Sequence, residues 1–297
     1  MHIGMNLPVM APGLDREPFL AWCRAIDQGP FHTLAAGERV AFYNPDIIAA
    51  LGAAAAVTER VKIALTVMVS PMHDPVRMAK QVATLDVLSA GRVVLGVGVG
   101  GREEDYKAVG ATFDKRRLTR MEQGVARMRQ VWAQETIVPG AFPVGPVPVQ
   151  AGGPPILAGS LMAKSIDRAA RWADGLSTFD FGPTAPVVSF QMKTAREAWA
   201  REGRETKPYF QVACWYALGA DSDAGGAQIV DYLSRYLRFL GPNAHTQMAP
   251  MVRARSPEAL RTIIRELTDL GVDELLLVPT SVALDQVERV AELIATS

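Results

Sequence analysis

Residues 79–101 read AKQVATLDVLSAGRVVLGVGVGG, and this stretch decides the fold that we predict for the chain. With the residue before it, the stretch places Met78, Val82, Leu85 and Leu88 at helical spacing. That spacing predicts a helix with one apolar wall packed against a sheet. Gly91 follows, at the position after a helix end where glycine is common, and an apolar run comes after it. The stretch therefore predicts a helix, a tight turn and a buried strand.

The strand at the end of this stretch has glycine at every second position. Gly96, Gly98 and Gly100 share one face, while leucine and valine side chains cover the other. A strand face without side chains weakens the strand, so the three glycines require a structural or functional explanation. Two interpretations stay open: close approach of a ligand, or tight packing at a bend of a barrel. Together with Gly101 the glycines also match GxGxxG, but the strand ending in an acidic residue that a dinucleotide fold requires does not follow.

The alternation of strand-like and helix-like segments continues along the whole chain. We predict strands near residues 2–7, 32–36, 61–68, 92–99, 155–158, 175–179, 209–218 and 274–278. We predict helices near residues 18–26, 45–58, 76–88, 117–132, 163–172, 186–201, 225–240, 257–270 and 283–295. Strict alternation implies a parallel sheet, and eight units at this length favour a closed barrel. The prediction is an α/β protein, one (β/α)8 TIM barrel domain spanning residues 1–297.

Two segments interrupt this alternation and are predicted to be insertions in the barrel. Residues 139–155, before the fifth strand, read PGAFPVGPVPVQAGGPP, which is too rich in proline for a helix. We expect a short edge hairpin or a lid there. Residues 241–255, between strands seven and eight, also lack periodicity, and we expect them to cover the top of the barrel.

The composition excludes several classes of protein. The chain has 49% hydrophobic and 21% charged residues, which is typical of a soluble globular protein. Lysine plus arginine equals aspartate plus glutamate at 31 each, so no charge excess indicates nucleic acid or an anionic membrane as a partner. No apolar run is long enough to span a bilayer, and the first residues do not resemble a signal peptide. We expect a cytoplasmic protein.

Cysteine and histidine usage predicts neither a disulfide framework nor a metal site. Cys23 and Cys214 lie far apart in the sequence without a CxxC pattern, so two free buried thiols are expected in preference to the alternative of one disulfide. The four histidines show no metal-ligand spacing. His73, which follows the third strand, could face the pocket, but we favour a solvated loop residue. Asp86 and Arg92 are predicted to form a structural ion pair below the barrel.

Residues 79–101 resemble the AKxxATLDxLSxGRxxLGxGxG signature of luciferase-like flavin- and deazaflavin-dependent oxidoreductases. The resemblance continues in EDYKAVG at residues 104–110, PPILAGS at residues 154–160 and RAARWADG at residues 168–175. It implies an oxidoreductase, a flavoprotein or F420 enzyme that acts on a small organic substrate by hydride transfer or as a monooxygenase. It also implies F420 or FMN as cofactor and a homodimer.

The resemblance implies a ring cofactor at the C-terminal mouth of the barrel. The family supports the ring on a bulge of the third strand, often with a non-proline cis peptide, and the matching positions are Leu65 and Thr66. It binds the cofactor phosphate around the loop after the fifth strand, where amide groups at a helix start suit an anion. The residues implied in cofactor binding are Glu38, Leu65, Thr66, Gly101, Gly159, Ser160, Leu161 and Met162. From the residues alone, Thr66 is also an ordinary strand residue and Ser160 also a plain helix cap.

The chain departs from the family at three positions near the expected ring. Glu38-Arg39 stands where many members have an acidic residue followed by histidine, and arginine is neither an acid nor a base at ordinary pH. Arg39 has two open roles, holding an anionic ring or substrate, or pairing with neighbours at the surface. Gly101 replaces the glutamate acid of some F420-dependent sugar-phosphate dehydrogenases. Val99 replaces a flavin-phosphate arginine of the luciferase alpha chain, which favours F420.

The sequence therefore assigns no catalytic residue, and other functions stay open. One is a flavin-binding barrel protein without turnover, because a barrel can hold a cofactor while lacking acid–base groups. Another is a sugar-phosphate barrel enzyme, which predicts a phosphate-binding loop after strands seven and eight. Residues 279–282, PTSV, lack the glycine expected of such a loop.

Overall fold

The computed structural model describes residues 1–219 and 221–295, so residue 220 and the last two residues of the predicted domain lie outside it. Eight parallel strands form a closed barrel in chain order, and the last strand pairs with the first. The strands are β1 (His2–Asn6), β2 (Thr33–Ala36), β3 (Lys62–Val69), β4 (Val93–Gly98), β5 (Ile156–Ala158), β6 (Gly175–Phe179), β7 (Tyr209–Tyr216) and β8 (Glu274–Pro279). The predicted (β/α)8 barrel is confirmed.

Helices surround the barrel and close each βα unit. They are α1 (Arg16–Gln28), α2 (Ile47–Val57), α3 (Pro75–Leu88), α4 (Glu103–Ala108), α5 (Arg117–Trp132), α6 (Ala163–Ala169), α7 (Ala185–Arg201), α8 (Ser222–Tyr236), α9 (Ala244–Met248), α10 (Pro257–Leu270) and α11 (Asp285–Ala295). The short helices α4 and α9 were not predicted, because five or six residues are too few to show a helical period.

Helix α3 shows how the sequence pattern produces the packing. Asp74 caps its first turn by accepting a hydrogen bond from the backbone N–H of Arg77 at 2.8 Å. Met78, Val82 and Leu85 are buried on one face, as predicted. Leu88 is 63% exposed, so its predicted place in the apolar wall is wrong. The helix ends at this residue, and Ser89 caps it before the chain enters β4.

The barrel interior carries a polar layer at the N-terminal ends of the strands. The Glu274 carboxylate is buried and accepts a 2.7 Å hydrogen bond from the side chain of Gln211, which in turn accepts one from Ser177. Tyr209 donates to the same carboxylate at 3.2 Å. Burial raises the pKa of Glu274, but hydrogen bonds from His32 and other neighbours outweigh it, so the pKa is lowered.

Below the barrel, Asp86 and Arg92 do not form the ion pair that the sequence suggested. The Asp86 carboxylate is fully buried and accepts hydrogen bonds from the backbone and side chain of Gln150. The Arg92 guanidinium instead donates to backbone carbonyls at the end of α2, including that of Thr58 at 2.7 Å. Asp86 therefore hydrogen-bonds to the loop before β5, and Arg92 to the end of α2, instead of pairing with each other.

The two predicted insertions lie at opposite ends of the barrel. Residues 139–155 contain no strand and end beside the start of β4, where the Gln150 side chain donates to the carbonyl of Val93. They therefore form neither a hairpin nor a lid over the mouth. Residues 241–255 do lie at the mouth, since Ala254 pairs with Tyr216 at the end of β7 and Arg253 donates to the carbonyl of Pro183.

Two further expectations concern the thiols and the helices. Cys23 and Cys214 are buried and free, as expected. Burial raises the pKa of each thiol to about 12. No helix within residues 1–219 and 221–295 is long and apolar enough to cross a membrane.

Candidate active site

A bulge in β3 forms the floor of the barrel mouth. The pairing of β3 with β4 shifts register between Leu65 and Met68, and the peptide bond between Thr66 and Val67 is cis. The bulge expected at Leu65 and Thr66 is thus present.

The bare glycine face of β4 packs directly against this bulge. A Cβ atom added to Gly96 would lie on the carbonyl oxygen of Leu65, and one added to Gly98 would lie 2.7 Å from Cγ2 of Val67. Of the two interpretations left open, tight packing therefore explains Gly96 and Gly98. Gly100 is different, because it also lines the cavity above.

A cavity of about 200 Å³ opens above the bulge, at the C-terminal ends of the strands. Every strand except β5 contributes to its wall, either directly or through the loop that follows. Residues that line it include Asn6, Leu7, Gly37, Glu38, Thr66, Val67, Gly100, Arg102, Phe179, Trp215, Tyr236 and Val278. This is the end of a barrel at which barrel enzymes carry their active sites.

Asn6, at the end of β1, holds an unused hydrogen-bond donor in this cavity. Its Oδ1 atom accepts a 2.9 Å hydrogen bond from the hydroxyl of Thr66, which fixes the orientation of the amide. Its Nδ2 atom is buried and has no partner among the described residues. A buried donor without a partner costs free energy, so its presence indicates a position for a ligand acceptor.

Glu38 and His73 form a hydrogen-bonded pair at the edge of the cavity. Nε2 of His73 lies 2.8 Å from Oε1 of Glu38, and the Glu38 side chain is 4% exposed against 26% for His73. Burial lowers the pKa of His73, but the hydrogen bond and the charge of Glu38 more than offset it, so the pKa is raised. His73 is therefore partly exposed but paired with a cavity residue, which is nearer to the pocket-facing alternative than to a solvated loop residue.

Arg39 is buried beside the cavity rather than paired at the surface. Its Nε atom donates to Asp105 at 3.1 Å and one terminal nitrogen donates to Glu104 at 2.5 Å. Its guanidinium carbon lies 4.6 Å from the ring centre of Phe42. The surface role left open for Arg39 is excluded by this burial. The remaining nitrogen, Nη1, has no partner among the described residues.

Aromatic side chains form the opposite wall. Trp215 at the end of β7 contacts Phe179 at 4.6 Å and Phe181 at 4.9 Å between ring centres, both edge to face. Tyr236 of α8 lies 5.2 Å from Trp215. Such a wall keeps water away from one side of the cavity and offers planar surfaces to a planar ligand.

The structure brings together only part of the predicted cofactor site. Glu38 and Thr66 line the cavity. Leu65 is fully buried below it, with its carbonyl against the β4 glycines. Gly101 is exposed at the rim, and a Cβ atom added there would meet nothing within 4 Å. Direct cofactor contact by any of these four residues stays a prediction.

The loop after β5 lies behind the bulge. The backbone N–H of Gly159 donates to the carbonyl of Val97 at 2.7 Å, and the buried Ser160 does not cap the following helix. Leu161 and Met162 are exposed, and within residues 1–219 and 221–295 no group accepts a hydrogen bond from their backbone N–H. The capping alternative for Ser160 is thus wrong, while phosphate binding stays a prediction.

Sequence reasoning did not find several residues of the site. Asn6, Trp215 and Tyr236 carry no motif, although the first two lie at strand ends that must face a barrel mouth. Arg102 directly follows the glycine-rich match at residues 96–101 and was assigned no role from the sequence. As for metals, no group of three or more ligand-type side chains lies together within the described ranges 1–219 and 221–295.

The chain matches one protein family along nearly its whole length. The sequence profile described as luciferase-like monooxygenase matches residues 4–293. An uncharacterized protein of Mycobacterium tuberculosis is 35% identical over 165 residues, covering 53% of this chain and 57% of that protein. An FMNH(2)-dependent dimethylsulfone monooxygenase of Pseudomonas putida is 26% identical over 161 residues, covering 51% and 44%. The chain thus spans about half the length of these curated relatives.

Solved structures agree with the fold along the whole chain. The monooxygenase RslO1 of Streptomyces bottropensis superposes with a TM-score of 0.80 at 21% identity, covering 100% of this chain and 98% of that one. An F420-dependent secondary alcohol dehydrogenase bound to an F420-acetone adduct gives a TM-score of 0.76 at 16% identity, covering 99% of each chain. Identities this low establish a shared fold and nothing finer.

Proposed function

Because the chain belongs to the luciferase-like monooxygenase family, we propose that it is an oxidoreductase that binds F420 or FMN in the cavity above the β3 bulge. A small organic substrate would react there. The observation that carries the proposal is the Glu38–His73 pair, 2.8 Å apart, at the edge of a cavity whose other wall is aromatic. It supplies the acid–base group that the sequence did not reveal.

The residues of the cavity fit a planar ring with polar edges. Thr66 and Val67 would support one face of the ring, and Gly37 and Gly100, which also line the cavity, would leave space for its edges. The unpaired Nδ2 atom of Asn6 suits an acceptor on the ring. We place the cofactor phosphate at the loop of residues 159–162, because the backbone N–H groups of its last two residues have no partner among the described residues.

Hydride transfer with F420 is the form that we favour. When bound, F420 supplies hydride exchange at the ring, and the protein supplies orientation and a route for the proton. When a substrate carbonyl takes up hydride, its oxygen also takes up a proton. Protonated His73, whose ring reaches solvent, would supply that proton through Glu38, which lies 2.8 Å from its Nε2 atom. Val99, where the luciferase alpha chain has a phosphate-binding arginine, also favours F420 over FMN.

Monooxygenation with reduced FMN is the second candidate. The aromatic wall around Trp215 favours it, because oxygen chemistry at a flavin needs a site that excludes water. FMN-dependent relatives in the same family support it further.

The experiment that tests the proposal is a titration of the purified protein with F420 and with FMN, followed by fluorescence. We expect saturable binding of one cofactor, weakened about tenfold in Asn6→Leu, which removes the unpaired donor. The control is Asn243→Leu, since Asn243 is exposed and does not line the cavity. Binding of neither cofactor would refute the proposal, and tight FMN binding without F420 binding would replace hydride transfer by the second candidate.

Turnover distinguishes an enzyme from a protein that only holds a cofactor. A panel of alcohols, aldehydes and ketones is incubated with the loaded protein while cofactor absorbance is followed. Acceleration by any member of the panel establishes an enzyme. Cofactor binding without acceleration by any member supports the alternative of a barrel protein without turnover.

A further inference from the structure

A second cavity of about 560 Å³ adjoins the cavity above the β3 bulge, which we call the ring cavity. The side chain of Tyr236 lines both cavities, so we call its surroundings the junction of the two. Arginines and aromatic rings dominate the second cavity, through Arg39, Phe42, Arg235, Tyr236, Arg238 and Phe239. Neither the β3 bulge nor the Glu38–His73 pair borders this second space.

Positive charge at the junction of the two cavities is not balanced by the protein. Arg39 is offset by Glu104 and Asp105, and Arg235 is offset by Asp231. Arg102 lines the ring cavity, and within residues 1–219 and 221–295 it forms no salt bridge. Its Nε atom is buried and has no hydrogen-bond partner in the same residues. The half-buried guanidinium of Arg102 therefore faces the junction without a counterion. The exposed Arg238 of the second cavity also forms no salt bridge within residues 1–219 and 221–295.

Two guanidinium groups share one aromatic ring at this junction. The guanidinium carbon of Arg102 lies 4.7 Å from the ring centre of Tyr236, and that of Arg39 lies 5.8 Å from it. Arg102 also lies 4.5 Å from the ring centre of Phe239. Burial, and then the nearby charge of Arg102, lower the pKa of Arg39. Glu104 and Asp105 offset the charge of Arg39, whereas the charge of Arg102, which repels it, has no carboxylate partner among the described residues.

We propose that the junction binds a carboxylate carried by a planar, aromatic substrate, with Arg102 as the residue that receives the carboxylate. Arginine suits this role because its planar fork donates two parallel hydrogen bonds to a carboxylate. The rings of Tyr236 and Phe239 suit a planar body better than a sugar. The inference deepens the proposed function, since the acidic end of the substrate would lie here and its reacting end above the bulge.

Isothermal titration calorimetry on the cofactor-free protein tests the site without reference to turnover. The probes are sodium benzoate and benzamide, which match in shape and differ in charge. We expect benzoate to bind at least about tenfold more tightly, because only the carboxylate pairs with the arginine. Equal affinity for the two probes, or no binding of benzoate, would overturn the proposal.

Variants test whether Arg102 causes the preference for benzoate over benzamide. Arg102→Gln should weaken benzoate binding about tenfold or more and leave benzamide binding unchanged, whereas Arg102→Lys should lose less because it keeps the charge. The matched control is Arg261→Gln on the exposed face of α10, which removes the same charge far from the junction and should change nothing. An equal loss of benzoate binding in the control would show general electrostatics and overturn the site. Thermal unfolding of each variant confirms that it is folded.

A last arm separates the substrate from the cofactor as the source of the anion. Benzoate is titrated again in the presence of saturating F420 or FMN. Retained binding supports a substrate carboxylate at the junction. Competitive loss of benzoate binding would show that an anionic part of the cofactor occupies the junction, which overturns the assignment to substrate. Because the first titrations contain no cofactor, failure of the proposed function leaves their outcome interpretable.

Discussion

Oε2 of Glu38 accepts a 2.6 Å hydrogen bond from the backbone N–H of Val69, while its other oxygen lies 2.8 Å from Nε2 of His73. The carboxylate is therefore fixed to the end of β3 on one side and to the following loop on the other. This arrangement links a buried group of the cavity to a ring that reaches solvent. It is the feature of the mouth most suited to moving a proton.

The first prediction concerns the pH dependence of turnover. Because Glu38 raises the pKa of His73, steps that need protonated His73 are present at low pH and are lost as pH rises through that raised pKa. Glu38→Gln removes the raising charge, so the alkaline limb of kcat should move to lower pH. His73→Gln should remove this limb and lower kcat about tenfold to a hundredfold.

Two controls make this pH prediction specific. His245→Gln removes a histidine of α9, outside the cavity, and should leave the profile unchanged. Asp46 also raises the pKa of His73 through its charge, so Asp46→Asn should shift the limb in the same direction by a smaller amount. An alkaline limb that survives unaltered in His73→Gln would exclude His73 from the proton route.

The second prediction concerns the glycine face of β4. In Gly96→Ala the new methyl group meets the backbone carbonyl of Leu65, which cannot move without disturbing the bulge. We expect a loss of about 1–3 kcal/mol in the free energy of unfolding, measured by urea denaturation. Gly101→Ala is the matched control, because nothing lies within 4 Å of its added carbon. Equal stability of the two variants would contradict the packing explanation.

How far the sequence predicted the fold depends on how local each signal is. The eight strands and the bulge at Leu65 were predicted, because strand periodicity and the family signature both lie within short segments. Leu88 was misplaced, since it continues the apolar period of α3 but is the last residue of the helix and is exposed. The pairing of Glu38 with His73 joins residues 35 apart and leaves no local pattern.

The same limit applies more strongly to the second cavity. Arg39 follows β2, Arg102 follows β4, and Tyr236 ends α8, so only the closed barrel and its insertion bring them together. Arg39 was recognised as a departure from the family, yet its partners Glu104 and Asp105 were not foreseen. Side chains that meet across three loops need coordinates, because spacing along the chain carries no information about them.

The third prediction concerns Arg92 below the barrel. Its guanidinium makes five hydrogen bonds to acceptors of Ala55, Thr58, Val61 and Ser89. Lysine has three donors on one nitrogen and cannot reach this spread of acceptors. Arg92→Lys should therefore lower the free energy of unfolding by about 2 kcal/mol. Arg16→Lys, at an exposed position of α1, serves as control, and an equal effect in both would contradict the structural role.

The fourth prediction concerns acid sensitivity at Glu274. Its folded pKa lies below the ordinary value of 4.5, so its ionised form stabilises the fold above that value. This stability is lost as pH falls through the lowered folded pKa. Glu274→Gln should cost about 1–3 kcal/mol at pH about 7, and the difference from the parent protein should shrink below pH about 4. Denaturation at both pH values measures it, with the exposed Glu205→Gln as control. A difference that stays constant with pH would show that the carboxylate charge does not stabilise the barrel interior.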